Sequence, residues 1–157
     1  MQVIDNTVVH RAAELRMRVQ DDGNRGVAFF LGVVAAFEAA LGAQSPIVRA
    51  MPNTPAAVGR GITAIIGNAH ASAAQVDLAE MQLRAVGQVV RLETEDQMDA
   101  VTGVSGSGPA YVFHLIETMA AAGQANGLPA DLALHLAKAT VAGAGALAMA
   151  AEGIAGL

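Results

Sequence analysis

The sequence predicts an α/β layer followed by an all-helical region, a chain that is mostly helical overall. Three observations predict it. Up to about Leu92, short runs rich in β-branched residues alternate with helical patterns; beyond Leu92, helix signals follow one another with no convincing strand. The change falls at TEDQMDAV, where Thr94 is followed three residues later by Gln97, a capping-box pattern. A chain of 157 residues that is 54% hydrophobic is about the size of one ordinary domain and has ample material for a core.

The elements are expected in this order. Residues 7 to 20 can form a helix with Val8, Ala12, Leu15 and Val19 on one face. GVAFFLGVV reads as a strand running into a helix that ends at EAALG, with Gly42 placed for a C-terminal cap. PIVRAM and GITAIIG read as two short strands separated by the turn-forming PNTPAAVGRG. Ser72 opens a helix closed by Gly87, and QVVRL is the last strand. A short helix starts near Thr94. Two long helices then follow, one from 108 to about 126 closed by Gly127, the other with Pro129 at its first position and running to about Glu152.

Composition excludes several function classes. The formal charge is -5, from 14 acidic and 9 basic residues, with no Lys/Arg cluster and few aromatics. Nucleic acid and anionic membrane surfaces are poor partners for such a chain. The absence of cysteine removes disulfides, thiol catalysis and Cys-based zinc sites, and fits a cytoplasmic location. The first 25 residues carry charges throughout, unlike a signal peptide. Mean hydropathy is +0.44, but His114 and Glu117 interrupt one apolar segment and His135 and Lys138 the other, short of the roughly 18 to 20 clean residues of a membrane span. Helices buried on several sides in an oligomer are the expected explanation.

Four histidines, His10, His70, His114 and His135, are scattered without a metal-ligand spacing, so no metal site is expected. No serine has a recognisable base partner, and GVSGSG lacks the G-x-S-x-G spacing. Two segments remain as binding site or plain connection. MPNTPAAVG presents Asn53 and Thr54 between two prolines on a stiffened backbone. SGSGPAY reads as a loop that offers backbone N–H groups and two hydroxyls at the start of a helix, an environment suited to a carboxylate. In the last helix Ala139, Gly143 and Gly145 leave a stripe almost without side chains. A glycine inside a helix costs about 1 kcal/mol relative to alanine. The stripe is either a place where another helix backbone comes close or a tolerated alanine-rich helix.

VRAMPNTPAAVGRGITAI, DQMDAVTGVSGSGPAYVFHLIE and AAAGQANGLPADLALHLA, in that order, resemble corresponding stretches of pyrroline-5-carboxylate reductase. The similarity runs from about Gly26 to about Ala150. It implies a reductase that takes hydride from NADPH or NADH to the imine of 1-pyrroline-5-carboxylate, making proline. It also implies the remnant of a Rossmann domain over 27–93, a helical dimerisation domain over 94–157, and a homodimer or higher homo-oligomer, without nucleic acid or membrane. The dimer would explain the glycine-lined helix. By the same resemblance Met51, Pro52, Asn53 and Thr54 border the nicotinamide end of the cofactor. Glu95, Ser105, Gly106, Ser107 and Gly108 lie near the substrate, in a matching stretch that extends to Tyr111. The resemblance singles out no catalytic side chain, since hydride transfer asks mainly for alignment of two reactants.

Departures from the family pattern accompany the match. The sequence contains no G-x-G-x-x-G. Residues 1–26 do not resemble the family, and the chain stops at MAAEGIAGL, before the family's SPGG-type segment. The expectation is a fragment or deletion product, whose alternative role is a non-catalytic module that associates through its helices.

Overall fold

The structure is a computed structural model and describes residues 28–30 and 34–151. The helix expected over 7–20, the unmatched segment 1–26 and the expected helix end at Glu152 lie outside the described residues. Two compact units make up the chain, one ending at Ser107 and the other starting at Gly108. The expected boundary at Thr94 falls earlier. The difference has a physical cause: Met98, beyond that boundary, is fully buried, and Asn53 and Arg49 both hold residues of the 95–105 stretch, keeping it with the first unit.

In the first unit, β1 (Ala28–Phe30), α1 (Val34–Leu41), β2 (Ile47–Pro52), β3 (Gly61–Gly67), α2 (Ala73–Leu83), β4 (Gly87–Arg91) and α3 (Gln97–Val101) follow in order. The strands form one sheet in the order β1-β2-β3-β4. β1 and β2 are parallel, β2 and β3 antiparallel, β3 and β4 parallel. The antiparallel pair follows from the short connection between Pro52 and Gly61, because a parallel return needs a crossover of a dozen or more residues.

Successive residues of a strand face opposite sides of the sheet. Val48 and Ala50 on β2 therefore share a face with their partner-side neighbour Ile65, and α2 covers that face with Ala79, helped by Val76 and Leu83. Ile47 and Arg49 belong to the other face, and both are buried as well. α2 begins with a full capping box: the Ser72 hydroxyl accepts from the Gln75 amide at 3.3 Å while Gln75 Oε1 accepts from the Ser72 amide at 2.9 Å.

Asn68, just past β3, ties several elements together. Its Oδ1 accepts from the Ile47 amide at 3.0 Å, and its Nδ2 donates to Glu38 Oε1 at 2.9 Å and to the Ser45 carbonyl at 3.0 Å. One side chain thus joins the start of β2, the end of β3, α1 and the turn after it.

The expected cap of α3 is half realised. Gln97 Oε1 accepts from the amides of Glu93 and Thr94 at 2.9 and 3.3 Å, but the helix begins at Gln97 itself and has no side-chain cap. On α2, Glu80 accepts hydrogen bonds from Arg84, at 3.0 Å from Nε, and from Arg91, at 2.6 Å from Nε. These hydrogen bonds, Arg84's first and then Arg91's, hold the Glu80 carboxyl below its usual range.

The sign of the consequence follows by linkage. A carboxyl with a lowered folded value contributes stability that is complete above its unfolded value and lost as pH falls through the folded one. The stability difference between the parent and Glu80→Gln should therefore shrink in urea titrations between about pH 6 and about pH 3. A difference that stays constant over that range would show that the arginines do not act on Glu80's charge.

In the second unit, α4 (Gly108–Ala125) and α5 (Ala130–Ala150) pack against each other. Gly127, at φ +94°, closes α4 as expected. Pro129 caps α5 rather than occupying its first helical position: its ψ of 145° is extended, and its carbonyl accepts from the Ala133 amide at 2.9 Å. Where the two helices meet, a Cβ on Gly123 would come within 3.2 Å of the Ala133 side chain. At Gly143 and Gly145, expected to admit another helix, no described residue beyond the helix's own adjacent backbone comes within 4 Å of where a Cβ would stand.

The buried residues of α4 and α5 are Ala120, Ala133 and Ala137. Tyr111, Phe113, Leu115, Leu132, Leu136 and Leu147 are all exposed. α5 is long and apolar enough by length and composition to cross a membrane, although Asp131, His135 and Lys138 lie along it.

Candidate functional site

The first unit brings together MPNTPAAVG and the opening residues of SGSGPAY, Ser105 to Ser107. β2 delivers Met51 and Pro52, both half-buried, to a turn. Asn53 is extended, and Thr54–Val58 then make a single 3-10 stretch with Pro55 in its opening turn. Gly59 ends it at φ +71°, a left-handed conformation that suits glycine, with its amide donating to the Ala56 carbonyl at 3.1 Å. The chain then enters β3 so close to the turn that a Cβ on Gly61 would lie 2.8 Å from Ala56. The 53–58 turn is therefore pressed onto the end of the sheet.

The SGSG segment differs from expectation. Sequence reading makes it a loop with free amides and hydroxyls, whereas Thr102–Gly106 form a π-turn directly after α3. The Ser107 amide donates to the Thr102 carbonyl at 2.8 Å, the i to i+5 bond of that geometry. The Ser105 hydroxyl donates to the Val101 carbonyl at 3.0 Å, and the Thr102 hydroxyl to the Met98 carbonyl at 2.8 Å. Glycine and serine read as loop formers because they are weak helix formers. Here the hydroxyls satisfy carbonyls of the preceding turn instead, so the backbone coils on.

Among the described residues, no atom outside the turn's own neighbours lies within 4 Å of a Cβ placed on Gly103, and only the Thr102 side chain approaches one on Gly106. Space beside both glycines is open. Val104, between them in sequence, is 78% exposed. π-turns cost hydrogen-bond regularity and occur often at functional sites.

Asn53 joins the two segments. Its Oδ1 accepts from the Ile62 amide at 2.9 Å and its Nδ2 donates to the Ser105 carbonyl at 3.1 Å. Met51, Pro52, Asn53, Thr54, Ser105, Gly106 and Ser107 all belong to the first unit, while Gly108 is the first residue of α4 in the second.

Glu95 reaches a second junction. Its Oε1 accepts from Arg49 Nη1 at 2.9 Å and from the Val34 amide, the first of α1, at 2.9 Å. A carboxylate there suits the positive end of a helix. Arg49 is 6% exposed, and its Nε has no hydrogen-bond partner among the described residues. Sequence reading missed Arg49 as part of this arrangement. The one available signal was a lone cation inside the apolar run PIVRAM, since a charge in a strand buried on both faces needs a partner. Among the described residues no three His, Asp or Glu side chains gather as a metal site.

Comparison with known proteins places these segments in context. Residues 95–157 match the family model described as pyrroline-5-carboxylate reductase dimerisation. The chain is 47% identical over 118 residues to the pyrroline-5-carboxylate reductase of Pseudomonas aeruginosa, covering 75% of this chain and 43% of that protein. It is 54% identical over 97 residues to that of Synechocystis, covering 62% and 36%.

Among solved structures, a pyrroline-5-carboxylate reductase from Coxiella burnetii matches 94% of this chain and 55% of its own, with a TM-score of 0.76 at 35% identity. The Plasmodium falciparum pyrroline carboxylate reductase with NADP bound matches 76% of this chain and 48% of its own, with a TM-score of 0.70 at 30% identity. The chain thus spans less than half the length of these curated relatives.

Proposed function

We propose that the chain, a relative of the pyrroline-5-carboxylate reductases, serves the reduction of 1-pyrroline-5-carboxylate to proline with NADPH or NADH, in the cytoplasm. The observation that carries this reading is the Asn53 bridge. It joins the MPNTP turn, assigned by resemblance to the nicotinamide, to the SGSG segment, assigned to the substrate.

The described residues fit one end of a dinucleotide. Met51 and Pro52 offer a half-buried apolar wall, and the exposed Thr54 follows them. No G-x-G-x-x-G turn for the pyrophosphate is found among the described residues. Met51 and Pro52 would border a bound reduced nicotinamide, which would supply the hydride taken up by the imine carbon, and the imine nitrogen of the substrate would be protonated from water. The chain's own part is to align the reactants and to exclude other geometries, which can contribute several kcal/mol to the barrier. Open space beside Gly103 and Gly106 suits the approach of a small cyclic imino acid.

The dimerisation match over 95–157 supports a homo-oligomer. The exposed Phe113, Leu115, Leu132 and Leu136 agree with helices that meet a partner. They also favour a second reading, a module that associates through α4 and α5 without turnover. Oxidation of NADPH, and separately NADH, by the purified chain decides between the two. Substrate-dependent loss of absorbance at a rate above the substrate-free control is the expected result. A folded, oligomeric chain with no turnover would leave only the association module.

A further inference from the structure

We propose that Asn53 is a positioning residue, whose side chain sets the distance between the 53–58 turn and the 102–106 π-turn. The inference rests on the reductase reading only for what that distance serves.

The two ends of the side chain grip different things. Its Oδ1 holds the Ile62 amide at the start of β3, a strand paired on both sides by β2 and β4. That end is anchored to the sheet. The Nδ2 holds the Ser105 carbonyl inside a short π-turn, whose last i to i+5 bond runs from the Ser107 amide to the Thr102 carbonyl. That end is adjustable. Without the Nδ2 bond, residues 102–107 can re-pair in α register, the Ser107 amide donating to Gly103 instead of Thr102. The carbonyl and amide ends of Asn53 both engage backbone, so its effect on a ligand passes through the geometry of the two turns. This differs from the direct cofactor contact that resemblance suggests.

Asn53→Asp separates the two grips. It keeps an oxygen for the Ile62 amide and replaces the donor facing the Ser105 carbonyl with an acceptor. By hydrogen–deuterium exchange of the full chain, residues 102–107 should exchange about tenfold faster in this variant, the loss of roughly one hydrogen bond, while the Ile62 amide is unchanged. Unchanged exchange at 102–107 in a folded N53D would overturn the proposal.

If N53D does not fold, NMR of the unaltered chain decides. A slowly exchanging Asn53 side-chain amide proton with a nuclear Overhauser contact to Ser105 or Gly106 supports the bridge, and a rapidly exchanging one without that contact refutes it. Where the parent turns over, N53D should lower kcat about tenfold with the KM for NADPH changed by no more than about twofold. A raised KM at constant kcat would instead make Asn53 a direct ligand contact. A parent without turnover sinks the reductase reading alone, because the exchange result needs no activity.

Discussion

Replacing Glu95 with alanine should lower the stability of the first unit by about 3 kcal/mol, the size expected when a buried ion pair loses one partner. The cause lies with the partner left behind. The Arg49 side chain is 8% exposed and that of Glu95 39%. Water can therefore hydrate an unpaired Glu95 but not an unpaired Arg49, which already has one nitrogen without a hydrogen bond. The Val34 amide also loses its acceptor. Screening at the exposed carboxylate makes the attraction itself modest, so Arg49→Met should cost less, about 1 kcal/mol. Arg49→Met with Glu95→Ala should be less destabilising than the sum of the two. Urea denaturation of the four proteins measures the cycle, and equal losses from the two single changes would assign the energy to the ion-pair attraction instead.

Gly87→Ala should cost about 3 kcal/mol or more, by two independent routes. Gly87 stands at φ +147°, a conformation that side chains rarely adopt, where strain alone amounts to about 1 to 3 kcal/mol. An added Cβ would also overlap the carbonyl of Gly61, its partner in the β3–β4 register. That neighbour is backbone and cannot swing aside, so strand entry itself must shift. Thermal unfolding should show G87A well below the parent. A G87A protein with the parent's Tm would mean that β4 does not enter the sheet beside Gly61.

The regular elements could be read from the sequence because their signals are local. β-branched runs gave β2 and β3, Ser72 gave the start of α2, and Gly127 gave the end of α4. The α/β layer and the helical region after it follow from the same signals. The π-turn was not legible: Gly103, Ser105 and Gly106 have the composition of a loop, and what makes them coil is hydroxyls turning back to carbonyls four residues earlier.

The site was legible as two segments but not as one place. Asn53 and Ser105 are distant in sequence, as are Arg49 and Glu95, and no periodicity links such pairs. Glu95 could be singled out by resemblance, yet its ties to Arg49 and to the first amide of α1 depend on how β2 and α1 are placed.

The seam between α4 and α5 is closed by alanine methyls, from Ala120, Ala133 and Ala137, beside Gly123. Such a seam removes little hydrocarbon from water, at about 25 cal/mol for each Å². Its two helices hold each other weakly, while the large side chains that could add most to their stability point elsewhere. Under the self-association proposed above, the persistence of this half of the molecule would be a matter of mass action: dilution would loosen it, and each copy that found a complementary surface would lend its neighbour a fold that neither keeps well alone.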